Sequence, residues 1–291
     1  MSWTVAINHW AMPALGVREA ADLARRAGFE AIELNLDEDG EVSPRASDAA
    51  AHALRRAVES MGLRISGLAT GLYWRYSPTS DDAATRRKAL DIAKAQLSLA
   101  AALGAGAILV VPGQVGEPMG APLVRYDVAY ERAREFVAAL APDAERAGVD
   151  VAIENVWSKL LLSPLEMRHF VAGMASDRVG AYVDVGNVLL YGYPEHWIDI
   201  LGPHVRRVHL KDFRRAIGTL AGFVDIGAGD VDWGAVGLAL RRSGYDGPLT
   251  AEVFPTSGEQ SDLAAYVTRV GQQVTRVVSR MERAAQAQRD E

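Results

Sequence analysis

The sequence contains no cysteine. This absence excludes disulfide bonds, thiolate nucleophiles, cysteine-ligated zinc and iron–sulfur clusters. Any metal site in this chain must therefore be built from histidine, aspartate or glutamate side chains and water. With 49% hydrophobic and 23% charged residues, the composition is that of an ordinary globular protein, which excludes global disorder and a collagen-like structure.

Long apolar runs and an excess of positive charge are also missing. The longest apolar run, residues 105–111, is interrupted by glycine and ends at Pro112, whereas a membrane-spanning helix needs about 20 apolar residues. No basic segment precedes an apolar stretch in the first ten residues, so no secretion signal is predicted. The net charge of −6 opposes binding to nucleic acid or to an anionic membrane. We therefore expect a soluble, cytoplasmic protein without a membrane span or a nucleic-acid partner.

Short β-rich runs alternate with longer helical patterns along all 291 residues, which is typical of βα units around a parallel sheet. Eight strands are predicted, at residues 4–9, 31–36, 64–69, 107–111, 150–155, 180–185, 206–211 and 249–254. Their starts are roughly 25 to 45 residues apart, which leaves room for one helix in each unit. We therefore predict α/β architecture, with a single (β/α)₈ TIM barrel as one domain over residues 1–291.

Helical patterns fill the intervals between these strands. Predicted outer helices include residues 17–27, 46–61, 81–103, 124–147 and 164–173, and residues 261–283 are predicted as the eighth helix. Residues 284–291 are expected to form a frayed polar tail. Glycines that suit a left-handed helix stop precede several strands, at positions 28, 62, 104, 148 and 244.

A doubly wound nucleotide-binding sheet would also alternate strands and helices. Its glycine-rich first turn is absent, because the first predicted strand leads into Trp10-Ala11-Met12-Pro13, and no GxxxxGK[ST] motif occurs. Residues 227–230 resemble a phosphate-cradling loop only superficially. The sequence therefore favours a closed barrel and no nucleotide cofactor.

Four polar residues stand at the carboxyl ends of consecutive predicted strands: Glu154, Asp184, His209 and Glu252. Barrel strands are buried on both faces, so a charged side chain there needs a partner such as a metal or a substrate. Each residue alone could be an ion pair, a turn residue or a core imidazole, but their joint occurrence favours one site. Three carboxylates and one imidazole suit one divalent metal, with Mn²⁺ or Mg²⁺ favoured and Co²⁺ or catalytic Zn²⁺ as alternatives.

Several motifs together resemble the xylose-isomerase-like TIM barrel superfamily, and more narrowly its sugar (phosphate) isomerase/epimerase group. They are Gly-Phe-Glu-Ala-Ile-Glu-Leu at residues 28–34, Ala-Ile-Glu-Asn at 152–155, Val-Asp-Val-Gly-Asn at 183–187, Val-His-Leu-Lys-Asp at 208–212, Gly-Ala-Gly-Asp-Val-Asp-Trp at 227–233 and Gly-Tyr-Asp-Gly-Pro-Leu-Thr-Ala-Glu-Val at 244–253. The resemblance covers nearly the whole chain.

This resemblance implies that the four residues hold one divalent metal, Mn²⁺ first, which binds the carbonyl and a neighbouring hydroxyl of a ketose or ketose phosphate. Proton transfer would pass through a metal-stabilised cis-enediolate, with Glu154 and Glu252 removing and returning the proton. A 3-epimerase is favoured, although the same enediolate also permits aldose–ketose isomerisation. Asn187 stands where tagatose/psicose-type epimerases usually carry histidine. That difference brings the chain nearer to the ribulose-phosphate 3-epimerase branch and mildly favours a phosphorylated sugar.

Further residues are candidates for substrate contact. Lys211 points to the same side of its strand as His209, and Arg214 with Arg215 could hold a phosphate or sugar hydroxyls. The other candidates are Asn187, His9 and Trp157, with Glu33, Trp10, Tyr73 and Trp74 equally open to a packing role.

Three alternative functions share this scaffold. An endonuclease IV-like enzyme is disfavoured because only two of the six histidines stand at strand ends. An inosose-dehydratase-like lyase would use the same four ligands to remove water, and a non-catalytic sugar-binding protein would bind without turnover. Apolar helix surfaces make a homodimer or homotetramer reasonable.

Overall fold

Eight parallel strands form a closed barrel in the computed structural model, which describes residues 3–116, 120 and 122–287. The barrel strands are β1 (Val5–Asn8), β2 (Ala31–Asn35), β3 (Arg64–Ala69), β4 (Ala107–Val110), β5 (Asp150–Glu154), β6 (Val179–Asp184), β7 (Val205–Leu210) and β10 (Leu249–Ala251). They follow the order β1-β10-β7-β6-β5-β4-β3-β2. The predicted (β/α)₈ TIM barrel is therefore confirmed.

A short antiparallel hairpin stands apart from the barrel. It pairs β8 (Asp212–Phe213) with β9 (Phe223–Val224) and was not predicted. The last barrel strand is also shorter than predicted, because it ends at Ala251 rather than at residue 254. The Glu252 amide still donates to the Leu210 carbonyl at 3.1 Å, so Glu252 lies directly beyond the strand end and the following residues form a loop.

Helices surround the barrel: α1 (Val17–Arg26), α2 (Asp48–Ser60), α3 (Leu72–Arg75), α4 (Ala83–Leu103), α5 (Tyr126–Ala147), α6 (Pro164–Ala172), α7 (Val185–Val188), α8 (Pro194–Leu201), α9 (Trp233–Arg242) and α10 (Leu263–Ala287). The five glycines expected at left-handed positions have φ between +66° and +92°, a region that glycine adopts without the strain of a Cβ atom. None of the helices in the described ranges is both long and apolar enough to cross a membrane.

The final helix is longer than predicted. α10 continues to Ala287, so residues 284–287 are helical rather than frayed. Ala285 is buried, and this packing explains why the helix persists in a stretch that reads as polar. The remaining part of the predicted tail, residues 288–291, lies outside the described residues.

Candidate metal centre and substrate cavity

The four predicted metal ligands meet at the carboxyl end of the barrel, where the strands place them. Glu154 and Asp184 are the last residues of β5 and β6, His209 is the penultimate residue of β7, and Glu252 follows β10. One ligand atom from each lies within 4.8 Å of the ligand atoms of the other three. All four are buried, with His209 and Asp184 inaccessible to solvent. We call this group the four-ligand cluster.

His209 is the centre of the cluster. Its Nδ1 lies 3.3 Å from Glu154 Oε1 and 2.9 Å from Glu252 Oε2. Its Nε2 faces away, towards Glu33 Oε2 at 2.8 Å. The two ring nitrogens therefore have different tasks: Nδ1 is available to a cation within the cluster, and Nε2–H donates to a carboxylate behind it.

The two carboxylate oxygens of Asp184 also make different contacts. Oδ1 accepts from the Asn187 amide at 2.8 Å and caps α7, which follows β6 without a linker. Oδ2 points into the cluster, 2.9 Å from Lys211 Nζ. The backbone on both sides is fixed by Asn155, whose side chain accepts from the Asp184 amide and donates to its carbonyl.

The donor atoms fit a divalent cation. Asp184 Oδ2 and Glu252 Oε2 are buried and accept no hydrogen bond of good geometry, although Lys211 Nζ lies 2.9 and 2.8 Å from them. An oxygen-rich set with one imidazole suits Mn²⁺, Mg²⁺, Co²⁺ or catalytic Zn²⁺. Glu154, Asp184, His209 and Glu252 can therefore hold one metal ion, whose identity the geometry leaves open.

The electrostatics of the cluster separate the two glutamates. Burial raises the pKa of Glu154 to about 7, against the opposing effect of its contact with His209. Burial also acts on Glu252, but the charges of Lys211 and His209 outweigh it and hold the pKa of that carboxyl well below its usual range. In the metal-free protein, one glutamate can thus carry a proton near neutral pH while the other stays ionised.

Glu33 lies behind the cluster and contacts His209. The sequence alone allowed either a sugar contact or a packing role for this residue. It lies on β2, is inaccessible to solvent, and accepts from Asn8 Nδ2 at 2.6 Å and from the Tyr182 hydroxyl at 2.7 Å, besides facing His209. A Cβ atom at Gly67 would lie 2.8 Å from Glu33 Oε1, so glycine leaves the space that this carboxylate needs. A charged residue inside the run Ala31-Ile32-Glu33-Leu34 was the signal that could have indicated it.

A cavity of about 580 Å³ opens above the cluster. Its lining includes Glu154, Glu252, Lys211 and Asn187, and five aromatic residues that we call the aromatic wall: Trp10, Trp74, Trp157, Phe223 and Phe254. Two pairs within this wall are stacked. Trp10 and Phe254 have ring centroids 5.8 Å apart, and the centroids of Trp157 and Phe223 are 5.0 Å apart.

The structure brings three of the predicted substrate-binding residues to this cavity. Lys211 contacts Asp184 and Glu252, as described above. Asn187 donates from its side chain to the Asn155 carbonyl at 3.1 Å, and Trp157 donates from its indole to the Asn187 carbonyl at 2.9 Å. Trp10 and Trp74 also line the cavity, whereas Tyr73 is buried and donates its hydroxyl to Gln96 at 2.7 Å.

The other two predicted contacts, His9 and Arg214, are not among the residues that line the cavity. His9 Nε2 lies 2.9 Å from the Leu15 carbonyl, and burial lowers the pKa of this imidazole. Arg214 follows β8 and is exposed, because its amide bonds to the Gly222 carbonyl at 2.8 Å and continues the hairpin. Arg215 lies over the Tyr193 ring instead.

The loop at residues 227–231 is occupied by a side chain of this protein. Asp212 accepts from the amides of Gly227 at 2.9 Å, Gly229 at 3.0 Å and Val231 at 3.2 Å, and from that of Phe213 at 2.9 Å. A Cβ atom at Gly229 would collide with Asp212 Oδ1. The amides that could have cradled a phosphate therefore bind a carboxylate of the chain itself.

Comparison with known proteins agrees with this geometry. The sequence profile of the xylose isomerase-like TIM barrel family matches residues 21–270. The chain belongs to this family. Similar proteins include the L-ribulose-5-phosphate 3-epimerase UlaE of Escherichia coli, with 27% identity over 262 residues that cover 86% of each chain.

Several solved structures have the same fold. A D-psicose 3-epimerase from Clostridium cellulolyticum, solved with D-tagatose, superposes with a TM-score of 0.77 at 16% identity and covers 95% of this chain and 98% of its own. The 3-keto-D-glucoside 4-epimerase YcjR from E. coli gives a TM-score of 0.74 at 16% identity, over 94% and 99% of the two chains. At these identities the likeness establishes the fold.

Proposed function

We propose that this protein is a divalent-metal-dependent ketose 3-epimerase that moves a proton at the carbon next to the carbonyl. The observation that supports it is the pair of glutamates, Glu154 and Glu252, which approach the same nitrogen of His209 from two different strands, at 3.3 and 2.9 Å. Two carboxylates placed around one small volume can remove a proton from one side of a carbon and return it on the other.

The four-ligand cluster would hold the metal, Mn²⁺ in the first instance. When bound, the ion would stabilise the negative charge that develops on the substrate oxygens as the proton leaves. Glu154 and Glu252 would exchange the proton with the carbon next to the carbonyl. Lys211 stays paired with Asp184 and Glu252 and orients both.

The relatives support the choice of an epimerase over other reactions of the same intermediate. UlaE is named as a 3-epimerase of a ketose phosphate, and it shares 27% identity with this chain over 86% of both chains. An aldose–ketose isomerase would instead remove the proton from C1 of the ketose, and a lyase would lose water after the proton has been removed.

The test is incubation of the Mn²⁺-loaded protein with ketohexoses and ketopentoses in D₂O, read by NMR. We expect deuterium at C3 together with the C3 epimer. Label at C1 with formation of an aldose would make the protein an isomerase. Loss of water from the sugar would make it a lyase, and a bound sugar without label at any carbon would contradict catalysis by proton transfer.

A further inference from the structure

The charged residues that line the cavity bear on which substrates it can bind. Among the described residues that line it, Lys211 is the only cation, and its ammonium lies 2.9 Å from Asp184 and 2.8 Å from Glu252. Four carboxylates face the same space: Glu154, Glu252, Asp225 and Glu259. The positive charge of Lys211 and of a bound metal lies at the cluster, so a phosphate that reaches beyond the cluster to Asp225 and Glu259 would meet like charge there.

The neighbouring arginines do not add positive charge to the cavity lining, because one is paired with carboxylates and two lie outside the lining. Arg269 lies behind Asp225 and Glu259, with its guanidinium donating to Glu259 and its Nε 3.5 Å from Asp225 Oδ2. Arg214 and Arg215 are exposed and outside the lining. The backbone amides of residues 227–231 bind Asp212, so this loop offers no anion site either.

Size is the second observation. Even if each non-hydrogen atom of a ketohexose displaced as much volume as one water molecule, roughly 30 Å³, the sugar would fill only about 360 Å³. The cavity measures about 580 Å³. A free monosaccharide at the cluster would leave the space beside the aromatic wall to water.

The surface beside that space suits an uncharged ring. Phe254 is 59% exposed and Leu220 57% exposed, and both line the cavity with the stacked Trp10 ring next to Phe254. Exposed aromatic faces in a cleft favour a partner with apolar C–H faces, and the carboxylates of Asp225 and Glu259 can accept hydrogen bonds from hydroxyl groups.

We propose that the substrate is an uncharged keto sugar that carries a second uncharged ring through a glycosidic bond. The reacting sugar sits at the four-ligand cluster, and the second ring lies against the aromatic wall. This inference rests on the proposed function, and it gives this chain a different substrate from that of its relative UlaE, which is named for a ketose phosphate.

A matched series of ligands tests it: D-fructose, D-fructose 6-phosphate and 6-O-glucosyl-fructose, which differ only in the substituent on O6. Binding to the Mn²⁺-loaded protein is measured by isothermal titration calorimetry, so that affinity is read without turnover. We expect the glucosylated ketose to bind about tenfold more tightly than free fructose, and the phosphate more weakly than either. A phosphate that binds most tightly, three equal affinities, or no binding by any of the three would overturn the proposal.

Three variants connect the binding result to the cavity lining. Phe254→Ala should reduce the advantage of the glucosylated ketose about fivefold, whereas Leu165→Ala, at an exposed leucine outside the cavity, should leave that advantage unchanged. Thr256→Lys adds a cation to the lining and should improve binding of the phosphate about fivefold. No gain for the phosphate in Thr256→Lys would contradict the argument from charge.

Deuterium exchange on the same ligands keeps the two proposals apart. Exchange at C3 of free fructose without tighter binding of the glucosylated sugar would overturn the substrate inference alone. Tight binding of the glucosylated sugar without exchange at any carbon would overturn the proposed function and leave the ligand class standing.

Discussion

The bottom of the cavity, which consists of the four-ligand cluster and the Glu33 carboxylate behind it, differs from the aromatic wall in the kind of contact that holds it together. At the bottom, each charged group faces a specific partner: both nitrogens of His209 face carboxylates, and Glu33 accepts from two donors besides the imidazole. Four of the five rings of the aromatic wall form two stacked pairs, and Phe254 is largely exposed. Under the proposed function, the bottom carries out the proton transfer and the wall selects the substrate.

The largest difference is expected when glutamate is replaced by glutamine once at the bottom of the cavity and once in the lining outside it. Glu252→Gln at the bottom should lower turnover by about 10³-fold, because it removes one of the two groups that exchange the proton. Glu259→Gln, in the cavity lining outside the cluster, should lower turnover by less than about fivefold. Initial rates are measured at saturating metal, with metal content verified for each variant. Equal losses in the two variants would show that the bottom and the rest of the lining do not differ in function.

A second experiment tests whether Glu33 positions His209 for metal binding. Glu33→Gln should weaken metal binding about ten- to hundredfold, because a carboxylate that accepts from a metal-bound imidazole orients the ring and raises its basicity. Excess Mn²⁺ should restore most of the turnover, which a general loss of folding would not allow. Metal affinity is measured by calorimetric titration.

The matched control for this experiment is Glu30→Gln, at the residue whose carboxylate accepts from the Val5 amide at 3.0 Å. It should leave metal affinity unchanged. If Glu33→Gln binds metal as tightly as the unsubstituted protein, Glu33 does not position His209.

The same contrast explains what the sequence could and could not predict. Charged residues at the ends of apolar strands are visible in the sequence, and consecutive strands of a barrel lie side by side, so all four members of the four-ligand cluster could be grouped from the sequence alone. Glu33 was visible as a charged residue inside an apolar run. Its partner was not, because β2 and β7 are not neighbours in the barrel and the contact runs across the interior.

The wall was harder to predict because it depends on loops. Residue 254 was placed in a strand, yet the strand ends at Ala251 and Phe254 turns to stack on Trp10. Arg214 was placed near the substrate, yet the β8–β9 hairpin carries it to the surface. Neither the hairpin nor the end of the last strand has a periodic signal in the sequence, since both depend on contacts with residues far away along the chain.

The smallest expected effect concerns the support of the wall. Asp212→Asn keeps one accepting oxygen but places an amide N–H₂ where Oδ2 receives the amides of Gly227 and Gly229. Each lost bond to a carboxylate costs about 1–3 kcal/mol when the donor is left without water, and Gly227 is exposed. We therefore expect the free energy of unfolding to fall by about 1–2 kcal/mol, measured by urea denaturation. Asp246→Asn, at an exposed aspartate, should change the free energy of unfolding by less than about 0.5 kcal/mol.

Because Asp212 anchors the hairpin that carries Phe223, affinity for 6-O-glucosyl-fructose should also fall in Asp212→Asn while metal affinity stays the same. A fall in metal affinity of equal size would mean that bottom and wall are one cooperative unit.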